Sequence, residues 1–284
     1  MPHEKTPIFS RYEAIDMISL PAIQSFHENL ETLSTELQGL LLKSGHPAVE
    51  KQVELATHAL EHLIFTHRFT PVQEKTLLKM DTIAHTAHLT RQAYAYYEKD
   101  VEKTHVLSLL EQEKPEWSMN HSLLRRKYAL SMREGHLAHV KPMERMIMIG
   151  SGYYPVSAIV FARKFGARVF LHETDEEAKM FAQKALDKTR MGGRISFMEN
   201  KKVVEGIRNA DIAWLAGPTE NKRKWMEELE THTQPGTRIL CRSAHGLRAL
   251  LHEHVPLNRL PTLTKVGMIH PRKTEIESTV LMIR

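Results

Sequence analysis

The chain of 284 residues contains one cysteine, Cys241. A single thiol cannot close an intramolecular disulfide, and its place in the apolar run RILCR makes a buried structural thiol the expectation. No segment approaches the roughly 20 consecutive apolar residues that a bilayer-spanning helix needs. The opening MPHEKTPIFSRYEAI carries acidic residues where a secretory signal would need an apolar block, so a cytoplasmic protein with no membrane partner is expected. Blocks of one charge sign are missing too. The 39 basic and 34 acidic residues leave a formal charge of +5, but they are interspersed, as in EKDVEKTH and ENKRKWMEELE, and no basic run alternates with aromatics. That pattern argues against nucleic acid as a partner. What is present is 42% hydrophobic residues in a chain long enough for one large or two ordinary domains, which implies a substantial core.

Up to about Ala138 the apolar residues recur at helical spacing and strand signals are scarce. Leu30, Leu33, Leu37, Leu40 and Leu41 form one such face, and Val53, Leu55, Ala59, Leu60, Leu63 and Ile64 form the next. Pro47, Pro71, Pro115 and the connection Ser44-Gly45-His46 punctuate the pattern, which predicts a bundle of about five or six helices over residues 1–140. His58 and His62 lie at i, i+4 and His85 and His88 at i, i+3. Neither pair belongs to a motif such as HExxH, so surface histidines and no metal site are expected. The last long helix before Pro115 carries Tyr94, Tyr96 and Tyr97, expected to pack with their hydroxyls at the surface. It also carries Glu98 and Glu102 one turn apart, flanked by Lys99 and Lys103. Taken alone, that reads as a solvated face.

Over residues 141–284 the pattern changes to strand, helix, strand. Met146 to Ile149, Arg168 to Leu171, Ile195 to Met198, Ile212 to Leu215 and Arg238 to Arg242 read as strands, with helices starting near Pro155, Asp175, Lys202 and Thr219. Two more apolar runs, Lys265 to His270 and Ser278 to Ile283, read as an antiparallel pair at the sheet's edge. The first strand breaks at Gly150-Ser151-Gly152, a turn that brings backbone amides close to a ligand, and Pro155 suits the first turn of the helix that follows. A dinucleotide fingerprint needs a third glycine where this chain has Pro155. Five alternating units closed by a hairpin instead match the order of class I S-adenosylmethionine-dependent transferases, an α/β, Rossmann-like fold. Glu173, 23 positions after Gly150 at the end of the second strand, can accept hydrogen bonds from both ribose hydroxyls. Asn200 falls where either an adenine contact or a turn is expected, and the small residues Ala216 and Gly217 would form the cofactor-facing rim.

The segments IGSGYYPVSAIV (from Ile149 to Val160) and RSAHGLRALL (from Arg242 to Leu251) resemble the nicotianamine synthase family, whose members typically read VGSGPLPLTSIVLA and RSAHGARAFLY. The likeness extends to KDVE, ending at Glu102, and to YALSMREGHL, from Tyr128 to Leu137. It covers about the last 190 of the 284 residues; the first 80 or so match only as helix. The resemblance implies transfer of the 3-amino-3-carboxypropyl (aminobutanoyl) arm of S-adenosylmethionine to an amine, with methylthioadenosine released. Glu102, 48 residues before Gly150, would take the amine's proton. Gly150, Ser151, Gly152, Tyr154, Pro155, Glu173, Asn200, Ala216 and Gly217 would line the donor, and Tyr128, Arg133, Glu134, Arg242 and His245 the acceptor. Arg242 would bind a substrate carboxylate by a bidentate pair, or else form an ordinary ion pair; Arg133 and Glu134 would orient substrate or pack between domains.

Plant and archaeal nicotianamine synthases carry a tyrosine seven residues before the glutamate that aligns with Glu134; here that position is Lys127, with Tyr128 one place off. The bacterial enzymes for opine metallophores of the staphylopine and pseudopaline kind lack that tyrosine as well and have GSGxYP at the glycine turn, as Tyr154-Pro155 does here. Resemblance to that branch implies histidine, D or L, as the acceptor through its α-amine, and an opine dehydrogenase acting downstream. The alternatives are a nicotianamine synthase proper and an ordinary methyltransferase. A homodimer is left open.

Overall fold

The computed structural model describes residues 19–43, 47–114, 119–219, 221–255, 257 and 260–284. The start of the chain, the Ser44-Gly45-His46 connection and Pro115 lie outside them. The chain divides into two compact units, Met1–Thr90 and Arg91–Arg284. The pattern change near residue 140 therefore marks where strands begin, whereas the packing boundary falls fifty residues earlier, inside a helix.

In the first unit α1 (Ser19–Leu41) packs on α2 (Pro47–Thr66), and α3 (Pro71–Leu77) and the start of α4 (Asp81–Glu111) follow. Phe26, Leu30, Leu37, Val53, Leu60 and Ile64 are buried at the helical spacing that the sequence predicts, while Leu55 is exposed. Thr70 and Gln73 form a capping box that starts α3. His58, His62, His85 and His88 are all exposed. Among the described residues no group of three or more His, Cys, Asp or Glu side chains is placed to hold a metal ion, and no helix is long and apolar enough to cross a membrane.

The second unit is built on a seven-stranded sheet of β1 (Arg145–Ile149), β2 (Arg168–His172), β3 (Ile195–Phe197), β4 (Ile212–Leu215), β5 (Arg238–Ala244), β6 (Thr264–Ile269) and β7 (Glu277–Ile283). The order is β3-β2-β1-β4-β5-β7-β6, parallel up to β5, with β7 antiparallel between β5 and the edge strand β6. This is the α/β fold of class I S-adenosylmethionine-dependent transferases. Parallel strands covered on both faces favour apolar residues at most positions, which is why the middles of β1, β2, β4 and β5 read as continuous hydrophobic runs. Alternate residues serve opposite faces. Met146, Met148, Trp214 and Leu240 join one core with residues of α4, α5 (Ser122–Leu137), α6 (Val156–Val160) and α7 (Glu176–Lys188). Ile147, Ile149, Leu215 and Cys241 join the other with α8 (Val203–Arg208) and α9 (Lys222–His232). The Cys241 thiol is fully buried, and burial pushes its pKa up to about 12, which suits a structural rather than a reactive thiol.

Pro155 does not enter the helix. With φ −77° and ψ 61° it centres an inverse γ-turn, in which the Val156 amide donates to the Tyr154 carbonyl at 2.7 Å, and α6 begins one residue later. Asp175 caps α7 by accepting from the amides of Glu177 and Ala178; Glu176 and Glu177 in its first turn and Lys188 in its last complement the helix dipole. After α6 the chain makes a π-helical turn, Phe161–Phe165, that ends at Gly166 and lays Phe165 against Gly135 of α5.

That close approach yields a prediction. A Cβ at Gly135 would run into the Phe165 ring. Gly135→Ala should lose about 1–3 kcal/mol to overpacking against a gain of at most about 1 kcal/mol in helix propensity. The expected net effect is a lower urea midpoint with an unchanged m-value.

Candidate active site

The carboxyl ends of β1, β2, β4 and β5 carry Gly150, Glu173, Ala216 and Ala244, and the C-terminal half of α4 reaches the first of them. Gly150 and Gly152 both have positive φ, 82° and 68°. Each position also lacks room for a side chain: a Cβ at Gly150 would strike Thr219, and one at Gly152 would sit 2.5 Å from Glu102 Oε2. The turn therefore needs glycine for its backbone and for the carboxylate lying on it. The Gly152 amide donates to Glu173 Oε2 at 2.9 Å, and Glu173 Oε1 accepts from the amides of Thr174 and Asp175 at 2.8 and 3.1 Å. Ser151 lies at the same carboxylate, its hydroxyl 3.5 Å from Oε2.

Glu102 is buried. Its Oε2 accepts from the amides of Tyr153 at 2.9 Å and Tyr154 at 3.3 Å, and its Oε1 from Lys127 Nζ at 2.6 Å. Burial raises its pKa, and Lys127 opposes the rise without cancelling it. The result is a carboxylate with enhanced proton affinity lying on the glycine turn. Glu98 is buried as well, which excludes a solvated face for this side of α4; Lys99 and Lys103 turn away to pair with Asp175 and Glu177.

From Glu98 a chain of charges runs across the ends of the strands. Lys127 Nζ lies 3.8 Å from Glu98 Oε1, His252 Nε2 lies 3.2 Å from Glu98 Oε2, and His252 Nδ1 lies 3.0 Å from Glu277 Oε1. Desolvation works against the charge on His252, but Glu98 and Glu277 outweigh it and lift its pKa to about 9. Desolvation likewise opposes the charge on Glu277, and His252, Arg242 and Lys222 together hold its pKa down at about 2. Glu277 in turn presses on Gly217, where a side chain would collide with its carboxylate.

Arg242 closes the network. Its Nε and Nη2 each donate to Glu134 at 2.8 Å, Nη2 also reaches Ser131 and Ser157, and the guanidinium lies over the Trp214 ring. Thr279 and Trp214 donate to the same Glu134 carboxylate. Arg242 thus makes the ion-pair alternative, a bidentate pair with Glu134, while its Nη1 lies 3.7 Å from Glu277 Oε2. Arg133 reaches the β6–β7 connection through the His270 carbonyl and Glu275.

Other expected site residues stand apart from this cluster. Tyr128 packs against the apolar core, and His245 faces His254 with ring centroids 4.7 Å apart, its pKa lowered by burial and by that neighbour. Tyr154 contributes its backbone amide; its ring is buried beside His105. Tyr94 and Tyr97 are buried, and Tyr96 is exposed. Asn200 is exposed and opens a 3₁₀ turn, Asn200–Lys202, after β3. Ala216 is buried, its amide donating to the Ile149 carbonyl. Sequence reasoning missed His252 and Glu277. The signals were a histidine just after RSAHGLRALL and a glutamate opening an otherwise uncharged strand.

The network makes stability depend on pH. His252 has a folded pKa above its unfolded value of about 6.5, so its contribution is complete below about pH 6.5 and disappears as pH rises through about 9. Between about pH 7 and pH 9.5 the melting temperature of the wild type should fall by several degrees more than that of His252→Gln, whose side chain does not titrate. Parallel slopes in calorimetry would show that His252 is not held charged.

Residues 94–284 match the family model described as nicotianamine synthase protein. Nicotianamine synthase 2 of Arabidopsis thaliana is 30% identical over 166 residues, 55% of this chain and 51% of the relative. L-histidine 2-aminobutanoyltransferase of Yersinia pestis is 24% identical over 120 residues, 42% of this chain and 45% of the relative. The chain thus spans about half the length of the curated relatives it matches. Among solved structures, a glutamate-to-glutamine mutant of MtNAS in complex with S-adenosylmethionine superimposes with a TM-score of 0.79 at 19% identity, covering 91% of this chain and 98% of that one. MtNAS in complex with MTA and tNA gives a TM-score of 0.79 at 18% identity, covering 90% and 97%. At such identities the structural likeness establishes the fold, while the family match spans α5, the whole sheet and the part of α4 that carries Glu102: the chain belongs to the nicotianamine synthase family.

Proposed function

We propose that this protein transfers the aminobutanoyl arm of S-adenosylmethionine to the α-amine of histidine, releasing methylthioadenosine, and that a separate opine dehydrogenase then completes a nicotianamine-like metallophore. The observation that carries the reading is Glu102, a buried carboxylate with raised proton affinity lying on the glycine turn. The residues present fit S-adenosylmethionine. Two glycines with positive φ allow close approach at the end of β1, and Glu173 at the end of β2 has the position and chemistry to take ribose hydroxyls. Asn200 would take the adenine edge, and Ala216-Gly217 would form the cofactor-facing rim.

S-adenosylmethionine supplies an electrophilic Cγ bonded to a sulfonium, whose departure leaves a neutral thioether. An amine can attack that carbon only with its lone pair free, so a proton must leave the nitrogen. Glu102 accepts it, which is the task of a base with raised pKa. Lys127 and the amides of Tyr153 and Tyr154 fix the direction of the carboxylate, so little reorganisation is needed at the moment of reaction. The Glu173 carboxylate, which accepts from backbone amides, also makes this end of the sheet more favourable for a cationic donor.

Histidine as acceptor draws support from Lys127 in place of the tyrosine of plant and archaeal nicotianamine synthases, from Tyr154-Pro155, and from the similarity to the Yersinia pestis protein. The second reading, nicotianamine synthesis proper, is favoured by the 30% identity to the Arabidopsis thaliana protein. Mass spectrometry of parallel reactions with D-histidine, L-histidine and no acceptor separates the two. Methylthioadenosine and an aminobutanoyl-histidine product are expected; turnover without acceptor would favour self-condensation, and S-adenosylhomocysteine would mean methyl transfer.

Two variants probe the assigned roles. Glu102→Gln should retain donor binding and lose about 10²- to 10⁴-fold in turnover, the usual worth of a positioned base; wild-type rates would remove Glu102 from the chemistry. Glu173→Ala should weaken donor binding by roughly tenfold or more, as loss of hydrogen bonds to a charged group does. Unchanged affinity in calorimetry would count against its ribose role.

A further inference from the structure

Among the described residues Glu102 has one cationic partner, Lys127, and does not have it alone. Lys127 Nζ lies 2.6 Å from Glu102 Oε1 and 3.8 Å from Glu98 Oε1. The other oxygen of Glu98 faces His252 Nε2 at 3.2 Å, and the opposite ring nitrogen of His252 faces Glu277 Oε1 at 3.0 Å. A neutral imidazole carries one N–H, so one of these carboxylates would then meet a lone pair. Only the imidazolium donates from both nitrogens. Glu98 thus sits between two cations, on the same helix as Glu102 and one turn before it, with its carboxylate 4% exposed.

We propose that Glu98, kept ionised by His252, is a positioning residue that shares Lys127 with Glu102, so that Glu102 keeps its capacity to take a proton from the acceptor amine. A lysine devoted to one buried carboxylate would stabilise its charged form strongly and make it a poor base. Division of the lysine between two carboxylates moderates that effect without removing the geometric anchor. The directions agree: Glu98 raises the pKa of Glu102, whereas Lys127 and His252 overcome desolvation to lower that of Glu98. The groups that face Glu98 and His252 are Lys127 from α5, Glu102 from α4, Glu277 from β7, and, beyond Glu277, Arg242 from β5 and Lys222 from α9. Arg242 pairs with Glu134, places Nη1 3.7 Å from Glu277 Oε2 and also interacts electrostatically with Glu98, and the Lys222 ammonium donates to the carbonyls of Arg242 and Glu253. Of these, His252 is the one within hydrogen-bond distance of Glu98, on the carboxylate oxygen away from Lys127.

The inference rests on Glu102 being the base, and its test does not depend on turnover. In ligand-free protein labelled at glutamate carboxyl carbons, the Glu102 signal is the one absent from Glu102→Gln. Its titration midpoint should fall by about one unit in Glu98→Gln, the effect of removing a neighbouring like charge. It should fall in the same direction in His252→Gln, because Glu98 then becomes protonated more readily. Glu277→Gln, which leaves His252 to Glu98 alone, should not lower the Glu102 midpoint, and a fall there as large as in His252→Gln would count against the sharing. In steady-state assays the acid limb of kcat against pH should move down by the same amount, with KM for S-adenosylmethionine little changed. A Glu102 midpoint that stays or rises in Glu98→Gln overturns the sharing of Lys127; one that moves in Glu98→Gln and stays in His252→Gln removes His252 from it. A wild type that releases no methylthioadenosine sinks the assignment of the reaction, and the ligand-free titration still decides the coupling.

Discussion

A carboxylate shut away from water must be answered by hydrogen bonds and opposite charge, and the active end of this protein is arranged around that requirement at Glu102. Two backbone amides of the glycine turn and one lysine meet it. The amides are available because Gly150 and Gly152 turn the chain with positive φ, and the carboxylate can approach because Gly152 has no Cβ. The element that would take up a nucleotide and the element that would take up a proton are thus held together by the same contact. Neither can shift without leaving a buried donor or acceptor unpaired.

The second constraint is the Glu134–Arg242 pair. A buried bidentate pair offers little net stability over an apolar substitute, but loss of one partner strands a charge and is costly. Here the pair ties α5 to β5, with Ser131, Ser157, Thr279 and Trp214 filling the remaining hydrogen-bonding positions. Its consequence is positional. α5 also supplies Lys127, so the register of α5 on the sheet sets where Lys127 stands between Glu98 and Glu102. The β7 strand contributes Glu277 to the same end, which gives the terminal hairpin a part in the electrostatics as well as in the sheet.

Class I transferase sheets are built alike for many reactions, so chemistry is set by what covers the carboxyl ends of the strands. In this chain the cover is α4 and α5, which pack with the sheet as one compact unit from Arg91 onward. Glu98, Glu102 and Glu134 are buried on these helices, whereas Lys99 and Lys103 point outward to Asp175 and Glu177.

Much of the fold could be read from residue patterns alone. The five parallel strands were visible because strands covered on both faces are largely apolar, and the terminal pair because two further apolar runs follow them. The glycine turn and Glu173 were visible because they are local: a backbone with positive φ and an acid at a strand end leave their mark within a few residues. KDVE and RSAHG pointed to Glu102 and Arg242 through resemblance to a family, not through any spacing. The rest had no local mark. Glu98 and His252 are 154 residues apart in the chain, and Glu134 and Thr279 are 145 apart. Whether a glutamate on an amphipathic helix meets water or a buried imidazolium depends on what the sheet brings opposite it, and whether Arg242 is open to a substrate depends on whether Glu134 has already closed on it. The sequence by itself determined which residues could form strands, helices and a ligand turn, because those preferences are local. Only the tertiary structure decided which charges share a buried space, because Coulomb pairing and desolvation depend on distance through space rather than along the chain.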